Sequence, residues 1–253
     1  EDGISLRDAM DRFGYNPDKA HEAIRDDIKA YLEVHIEQGP VLNTNNKKIG
    51  IVEKVTGLNV LEVSVKGRED HAGTTPMNLR KDALVGASKV IYEIPKIVSR
   101  ISGTGTATVG MMKVLPGSSN VVPKEVRFSI DIRDIVPEKI KEITKKVKEE
   151  IKSLKEYDLE IEIRTEAEEV PVKLDEELAK ISEKSVRNLN IPYLRMNSGA
   201  GHDAQIFAEK FPSGLIFIPC KDGRSHTPEE FATTEDIALA VETVVEIIKN
   251  LAY

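Results

Sequence analysis

Residues 126–154 read VRFSIDIRDIVPEKIKEITKKVKEEIKSL. The first eight alternate: Val126, Phe128, Ile130 and Ile132 share one face, and Arg127, Ser129, Asp131 and Arg133 share the other, the period of a half-buried strand. From Pro137 the apolar residues recur at helical spacing instead, and Pro137 suits a first turn, where its missing N–H costs nothing. Lysines between 139 and 155 are interleaved with Glu138, Glu142, Glu149, Glu150 and Glu156, so this is a solvated helix face rather than a basic patch.

Working outward, LNVLEVSVKG (58–67) alternates as a strand, MNLRKDALVGASKVIYEI (77–94) has helical spacing, and TATVGMMKV (106–114) and DLEIEIRTE (158–166) read as strands. At the head of that helix, Thr75 is expected as the cap and Pro76 at the first position. The order strand, helix, strand, strand, helix, strand is the split βαβ, or ferredoxin-like, arrangement, and it predicts a compact α+β unit over 57–167.

On either side the pattern is that of an α/β layer. SLRDAMDRFG opens with Ser5 and Asp8 placed as a capping box and closes on Gly14, and a short helical stretch is expected over 17–27. YLEVHIEQGPVL (31–42) and IGIVEKV (49–55) read as strands, LDEELAKISEKSVRNL (174–189) as a helix, GLIFIPC (214–220) as a buried strand and TEDIALAVETVVEIIKNL (234–251) as a long amphipathic helix. Their alternation predicts a parallel sheet, with residues 1–56 and 168–253 forming one α/β domain into which 57–167 is inserted.

Composition removes several function classes. A net charge of −7 is unlike a nucleic-acid surface. No apolar run approaches the roughly 20 residues a membrane helix needs, and no basic segment followed by a hydrophobic one opens the chain, so a cytoplasmic protein without nucleic-acid or membrane partners is expected. Cys220 is the single cysteine, which excludes an internal disulfide and a cysteine-based zinc site; any metal must be held by His, Asp or Glu. A P-loop, a Rossmann fingerprint after a strand and a nucleophile elbow are all missing.

Four stretches are richer in Gly, His and Asn than a linker requires. In HIEQGP (35–40) the histidine stands at a strand end, where open α/β sheets place ligands; the competing structural role is a histidine hydrogen-bonded to Glu33 or Glu37. GREDHAGTTPM (67–77) offers His71 in a loop rich in N–H and O–H donors. In PGSSNVVPKEVRFSIDIRD (116–134), Arg133 on the open sheet face could clamp a carboxylate, or pair with Asp131 or Asp134. SGAGHDA (198–204) and DGRSHTPEE (222–230) each fix a histidine, His202 and His226, in a tight local structure.

EVHIEQGPVL, GREDHAGTTPMNLRKDAL, NVVP followed by DIRD, SGAGHDA and DGRSHTPEE, taken in this order, resemble the amidase, hydantoinase and carbamoylase branch of the M20 metallopeptidase-like hydrolases, and the likeness runs through essentially the whole chain. The resemblance implies a three-layer αβα catalytic domain, incomplete here, carrying an inserted ferredoxin-like lid that also makes a homodimer contact. It implies an amidohydrolase cleaving the C–N bond of linear N-carbamoyl or ureido acids, of the N-carbamoyl-L-amino acid or allantoate type, with two divalent metal ions, Zn²⁺ or Mn²⁺.

By the same resemblance His35 ligates one ion and His226 the other, and His71, reaching over from the partner's lid, stabilises the oxyanion. Asn120 and Arg133 hold the substrate carboxylate, and Gln38, Gly201 and His202 line the pocket. Glu33 and Glu37 are read as support for the ligands. The upstream histidine, bridging aspartate, general-base glutamate and neighbouring glutamate ligand of that family have no counterpart here, so the chain is expected to be one piece of a longer or split enzyme, inactive without an N-terminal segment of the catalytic domain. Two other readings remain open: a non-catalytic, dimerising carboxylate-binding module, and a related peptidase or aminoacylase.

Overall fold

The computed structural model describes residues 3–23 and 25–252, so part of the expected 17–27 helical stretch lies outside them. In chain order the elements begin with helix α1 (Leu6–Arg12), strand β1 (Tyr31–Ile36), the short helix α2 (Val41–Thr44) and strand β2 (Ile49–Val55). There follow β3 (Gly57–Lys66), β4 (Asp70–His71), α3 (Ala83–Ile101), β5 (Thr106–Thr108), β6 (Met112–Leu115), β7 (Val121–Val122), β8 (Glu125–Asp134), α4 (Pro137–Ser153) and β9 (Glu160–Glu169). The last are β10 (Val172–Lys173), α5 (Glu176–Asn188), β11 (Tyr193–Ser198), α6 (Asp203–Phe207), β12 (Ser213–Ile218) and α7 (Thr234–Ala252).

The Ser5–Asp8 capping box forms and α1 closes before Gly14, while Pro17–Ala23 is a 3₁₀ segment. Strand β3 pairs antiparallel with β8 and with β9, and β8 pairs antiparallel with β5 and β6, giving the order β5-β8-β3-β9. Val126, Phe128, Ile130 and Ile132 are buried, and they meet Ala87, Val90 and Ile94 of α3 and Ile143, Val147 and Ile151 of α4, so both helices cover one face of this sheet. The other face carries charges in ion pairs, among them Lys66–Glu162 across β3 and β9 and Arg127–Glu125 along β8.

Three expectations are corrected here. TATVGMMKV is two strands, because the chain breaks at 109–111, where Met111 O accepts from Ser129 N. Helix α3 begins at Ala83, capped by Asp82, whose Oδ1 accepts from the N–H of Leu84 and Val85; Thr75 caps nothing, and Met77–Leu79 is a separate 3₁₀ turn. The helix also continues past 94, through Pro95, to Ile101.

The second sheet runs β1-β12-β2, with β11 and β10 also paired to β2. It is mixed rather than parallel: β1 is parallel to β12 and β11 to β2, but β12 and β2 run antiparallel through Leu215–Val52 and Phe217–Gly50. One face packs Ile49, Ile51, Ile216 and Ile218 against α5 and α7, and the other packs Val52, Leu215 and Phe217 against Leu42 of α2 and Ala204 of α6. Burial on both faces explains why β12 reads as an unbroken apolar run, SGLIFI. Among the described residues β1 pairs with β12 alone. Beside its open edge, Val34, Ile36, Ile237, Val241 and Val245 line an apolar trough of about 360 Å³, and Ile237, Val241, Val245 and Ile248 form one exposed stripe along α7.

Candidate functional site

The alternation of β1 places Tyr31, Glu33 and His35 towards α6 and Leu32, Val34 and Ile36 towards α7. Neither flanking carboxylate takes His35. Its Nδ1 donates to Ile36 O at 2.7 Å, which leaves Nε2 as the nitrogen with a lone pair to offer. Glu37 turns the other way. Its carboxylate accepts from the N–H of Val41 (2.7 Å) and Leu42 (2.9 Å) at the start of α2, and its burial pushes its pKa up against those two donors. Glu33 Oε2 accepts from Ala204 N at 2.6 Å, tying β1 to the first turn of α6.

Gln38 and His226 both sit in the left-handed region, with φ of 58° and 57°, a conformation uncommon for residues with side chains. The Glu230 carboxylate joins them: Oε2 accepts from His226 N (2.9 Å) and Oε1 from Gln38 Nε2 (3.4 Å), and the His226 N–H is the main cause of its lowered pKa. The loop before His226 is pressed onto the β1–α2 turn. A Cβ at Gly223, itself at φ +65°, would stand 2.7 Å from Pro40. Gln38, Gly199, Ala200, Ser225 and His226 thus surround a cleft of about 360 Å³ beside the end of β1.

His202, which opens α6, is buried. Its side chain is 1% exposed, held edge-on to His35 with ring centroids 4.7 Å apart and packed against Phe217 at 5.3 Å. Its Nε2 lies 2.8 Å from Ser198 Oγ, while Nδ1 has no hydrogen-bond partner and faces Glu33 Oε1 across 3.6 Å. Burial, and next the nearby His35, pull its pKa down to about 4, with Asp203 acting in the opposite sense, so the ring is neutral at pH 7. The ligand atoms of Glu33, His35 and His202 all lie within 4.8 Å of one another, a donor set suited to a divalent ion.

Arg133 lies on the other sheet. Arg133 sits at the end of β8 nearest this cleft: Nε and Nη2 grip Asp131, each at 2.8 Å, and Nη1 donates to Gly199 O at 2.9 Å. That fork on Asp131 raises the arginine pKa. Asp134 does not pair with it; it is buried and accepts from Ser102, Thr104 and Val136 N. Gly201 follows the Gly199 contact and lines a hollow with Glu168, Glu169 and His202.

His71 and Asn120 are brought together by the β4–β7 pairing, where Asn120 O accepts from Ala72 N at 2.9 Å. Nδ1 of His71 accepts from Gly73 N (3.0 Å) and Thr74 N (3.2 Å), so the proton sits on Nε2, which is left as an exposed donor. Glu125 and Arg133 mark opposite ends of β8, roughly 26 Å apart at strand rise, and Asn120 lies beyond the Glu125 end. One chain therefore does not bring His71 or Asn120 to Arg133. Missed by the sequence reading were the links of Glu33 to Ala204 N and of His202 to Ser198, contacts that join residues without a local pattern.

A family model described as Peptidase family M20/M25/M40 matches residues 5–250. The chain is 40% identical over 258 residues to an N-carbamoyl-L-amino-acid amidohydrolase of a Pseudomonas species, covering 99% of this chain and 62% of that protein. It is 35% identical over 252 residues to an allantoate amidohydrolase of Escherichia coli, covering 99% and 61%. Among solved structures, an amidase of the hydantoinase/carbamoylase family from Burkholderia multivorans superposes with a TM-score of 0.86 at 32% identity, covering 97% of this chain and 60% of that one. The chain thus spans about three-fifths of the length of these relatives. With a mixed α/β fold and matching order throughout, it belongs to peptidase family M20/M25/M40.

Proposed function

We propose that this chain is part of a metal-dependent amidohydrolase that cleaves the C–N bond of linear N-carbamoyl or ureido acids. The reading is supported by His35 near the end of β1 with its Nε2 free, and by His226 lining, with Gln38, the cleft just beyond that strand, in a chain similar from end to end to relatives named for that activity. The donor chemistry fits metal: His35 has its Nδ1 tied down and its Nε2 free. We assign His35 to one divalent ion and His226 to another, Zn²⁺ or Mn²⁺, with further ligands from a segment of the kind that gives the relatives their greater length. Such ions supply Lewis acidity and lower the pKa of a bound water.

The chain's own groups then have separate tasks. Arg133, held at the cleft end of β8 by Asp131 and Gly199 O, is assigned to the substrate carboxylate through the guanidinium hydrogens those contacts leave free. His71, with Nε2–H as donor, stabilises the oxyanion, and Asn120 binds substrate beside it. Gln38 and Gly201 line the pocket. Because His71 and Asn120 stand far from Arg133 within one chain, we assign them to the site of a second copy, in a homodimer formed through residues 57–167. Residues 1–56 and 168–253 are then the catalytic domain and 57–167 the lid. We place the protein in the cytoplasm, which the single, buried, unpaired Cys220 supports. No helix among the described residues is long and apolar enough to cross a membrane.

The test is ammonia release by the complete product of the gene, loaded with Zn²⁺ or Mn²⁺, from a panel of N-carbamoyl-L-amino acids and allantoate. Release that is lost on chelation is expected. Failure to hydrolyse any of them refutes the assignment.

A further inference from the structure

We propose that Arg80 is a positioning residue for His71: it grips the loop whose amides fix the tautomer of that imidazole. His71 ends β4, and the chain then passes through a turn and the 3₁₀ segment Met77–Leu79 to reach Arg80. The half-buried Arg80 side chain reaches back over this loop. Its Nη2 donates to Ala72 O at 2.6 Å and its Nε to Thr75 O at 3.0 Å.

The loop is built around the imidazole. His71 Nδ1 accepts from Gly73 N and Thr74 N, and His71 O accepts from Thr75 N at 3.2 Å. The ring lies so close over Gly73 that a Cβ there would stand 3.3 Å from its Cε1. Ala72 O and Gly73 N belong to one peptide unit. The contacts therefore run from the guanidinium, through that peptide, to Nδ1, and a hydrogen bond on the carbonyl strengthens the donor at the other end of the same unit. A proton on Nδ1 would face two N–H donors, so the arrangement keeps it on Nε2.

Elsewhere in this unit arginines pair with carboxylates two residues away: Arg68 with Asp70, Arg127 with Glu125, Arg133 with Asp131 and Arg164 with Glu162. Arg80 has Asp82 at the same spacing, yet Asp82 caps α3, and both hydrogen bonds of the Arg80 side chain end on carbonyl oxygens. Spanning two carbonyls three residues apart needs a planar fork, which a lysine does not have.

The catalytic consequence rests on His71 acting as the oxyanion donor; the hold on the loop does not, and the two are measured separately. In the 253-residue chain above neutral pH, nitrogen NMR of labelled histidine should show His71 as the Nε2–H tautomer, with a coupling through the hydrogen bond between Nδ1 and the Gly73 amide. Arg80→Ala should abolish that coupling and mix the tautomers, and Arg80→Lys should fall between. A coupling missing from the unaltered chain, or a His71 signal unchanged in Arg80→Ala, overturns the proposal. In the complete product of the gene, Arg80→Ala should lower kcat about tenfold with KM within about twofold, and should cost nothing further in a His71→Ala background. An equal loss in both backgrounds also overturns it, because Arg80 would then act other than through His71. If His71→Ala hydrolyses as fast as the unaltered enzyme, the oxyanion role falls and takes the catalytic part with it, while the tautomer measurement decides the hold on the loop.

Discussion

Replacing His202 with glutamine should flatten the pH dependence of folding between pH 4 and 6.5. In the folded chain burial holds the imidazole neutral down to about 4, against 6.5 for an ordinary histidine. The groups facing it are His35, which disfavours its charge, Asp203, whose opposite pull does not offset burial, and Glu33, whose Oε1 lies 3.6 Å from Nδ1. Within that window the unfolded chain takes up a proton and the folded chain does not. Stability from this group is therefore complete above pH 6.5 and falls as pH drops towards 4. At 1.36 kcal/mol per pKa unit the difference amounts to about 3 kcal/mol. Urea unfolding in chelator-containing buffer, read by circular dichroism from pH 4 to 7.5, measures it for the unaltered chain and for His202→Gln. Carboxylates that titrate in the same range are common to both, so the comparison isolates the histidine. Equal pH slopes in the two proteins would refute the argument from burial.

Asp134→Ala should destabilise the chain by about 2 to 4 kcal/mol, because it strands the hydroxyls of Ser102 and Thr104 and the N–H of Val136; a loss under about 1 kcal/mol in chemical denaturation would contradict this. Gly223→Ala should cost more than about 1 kcal/mol, since it combines a φ of +65° with a Cβ 2.7 Å from Pro40, and should displace His226 from Gln38, seen as loss of their shared Glu230 contacts by NMR. Arg133→Lys should change melting little, because the Asp131 pair is a third exposed, yet raise KM for ureido acids in the complete enzyme; an unchanged KM removes Arg133 from carboxylate binding.

Much of the ferredoxin-like unit was legible because its signals are local. The period of two in VRFSIDIR and the helical period after Pro137 each declare themselves within one element, and their order leaves one antiparallel arrangement. The antiparallel β2–β12 pairing was not legible. Both strands are buried on two faces, so neither carries an alternation that distinguishes direction, and the paired residues are more than 160 positions apart. The start of α3 was misplaced at Thr75 because Thr75 and Asp82 are both residue types that cap; the helix begins at the one whose carboxylate reaches two N–H groups. At the site, the direction of His35 followed from strand parity. The burial of His202 did not, because it depends on Phe217, Ser198 and Glu33, which only the tertiary fold assembles.

Strand β1 has hydrogen-bonded neighbours on one side. Tyr31 N and Glu37 N donate towards the β12 segment, which by strand parity turns the amides of Leu32, Val34 and Ile36 to the open edge. The same six residues carry Glu33 and His35. Anything that adds a strand at that edge and anything that binds those two side chains act on one piece of backbone, so the two events are thermodynamically coupled, each altering the affinity for the other by the same factor. Amide exchange along β1, fast and slow at alternate residues, would record both.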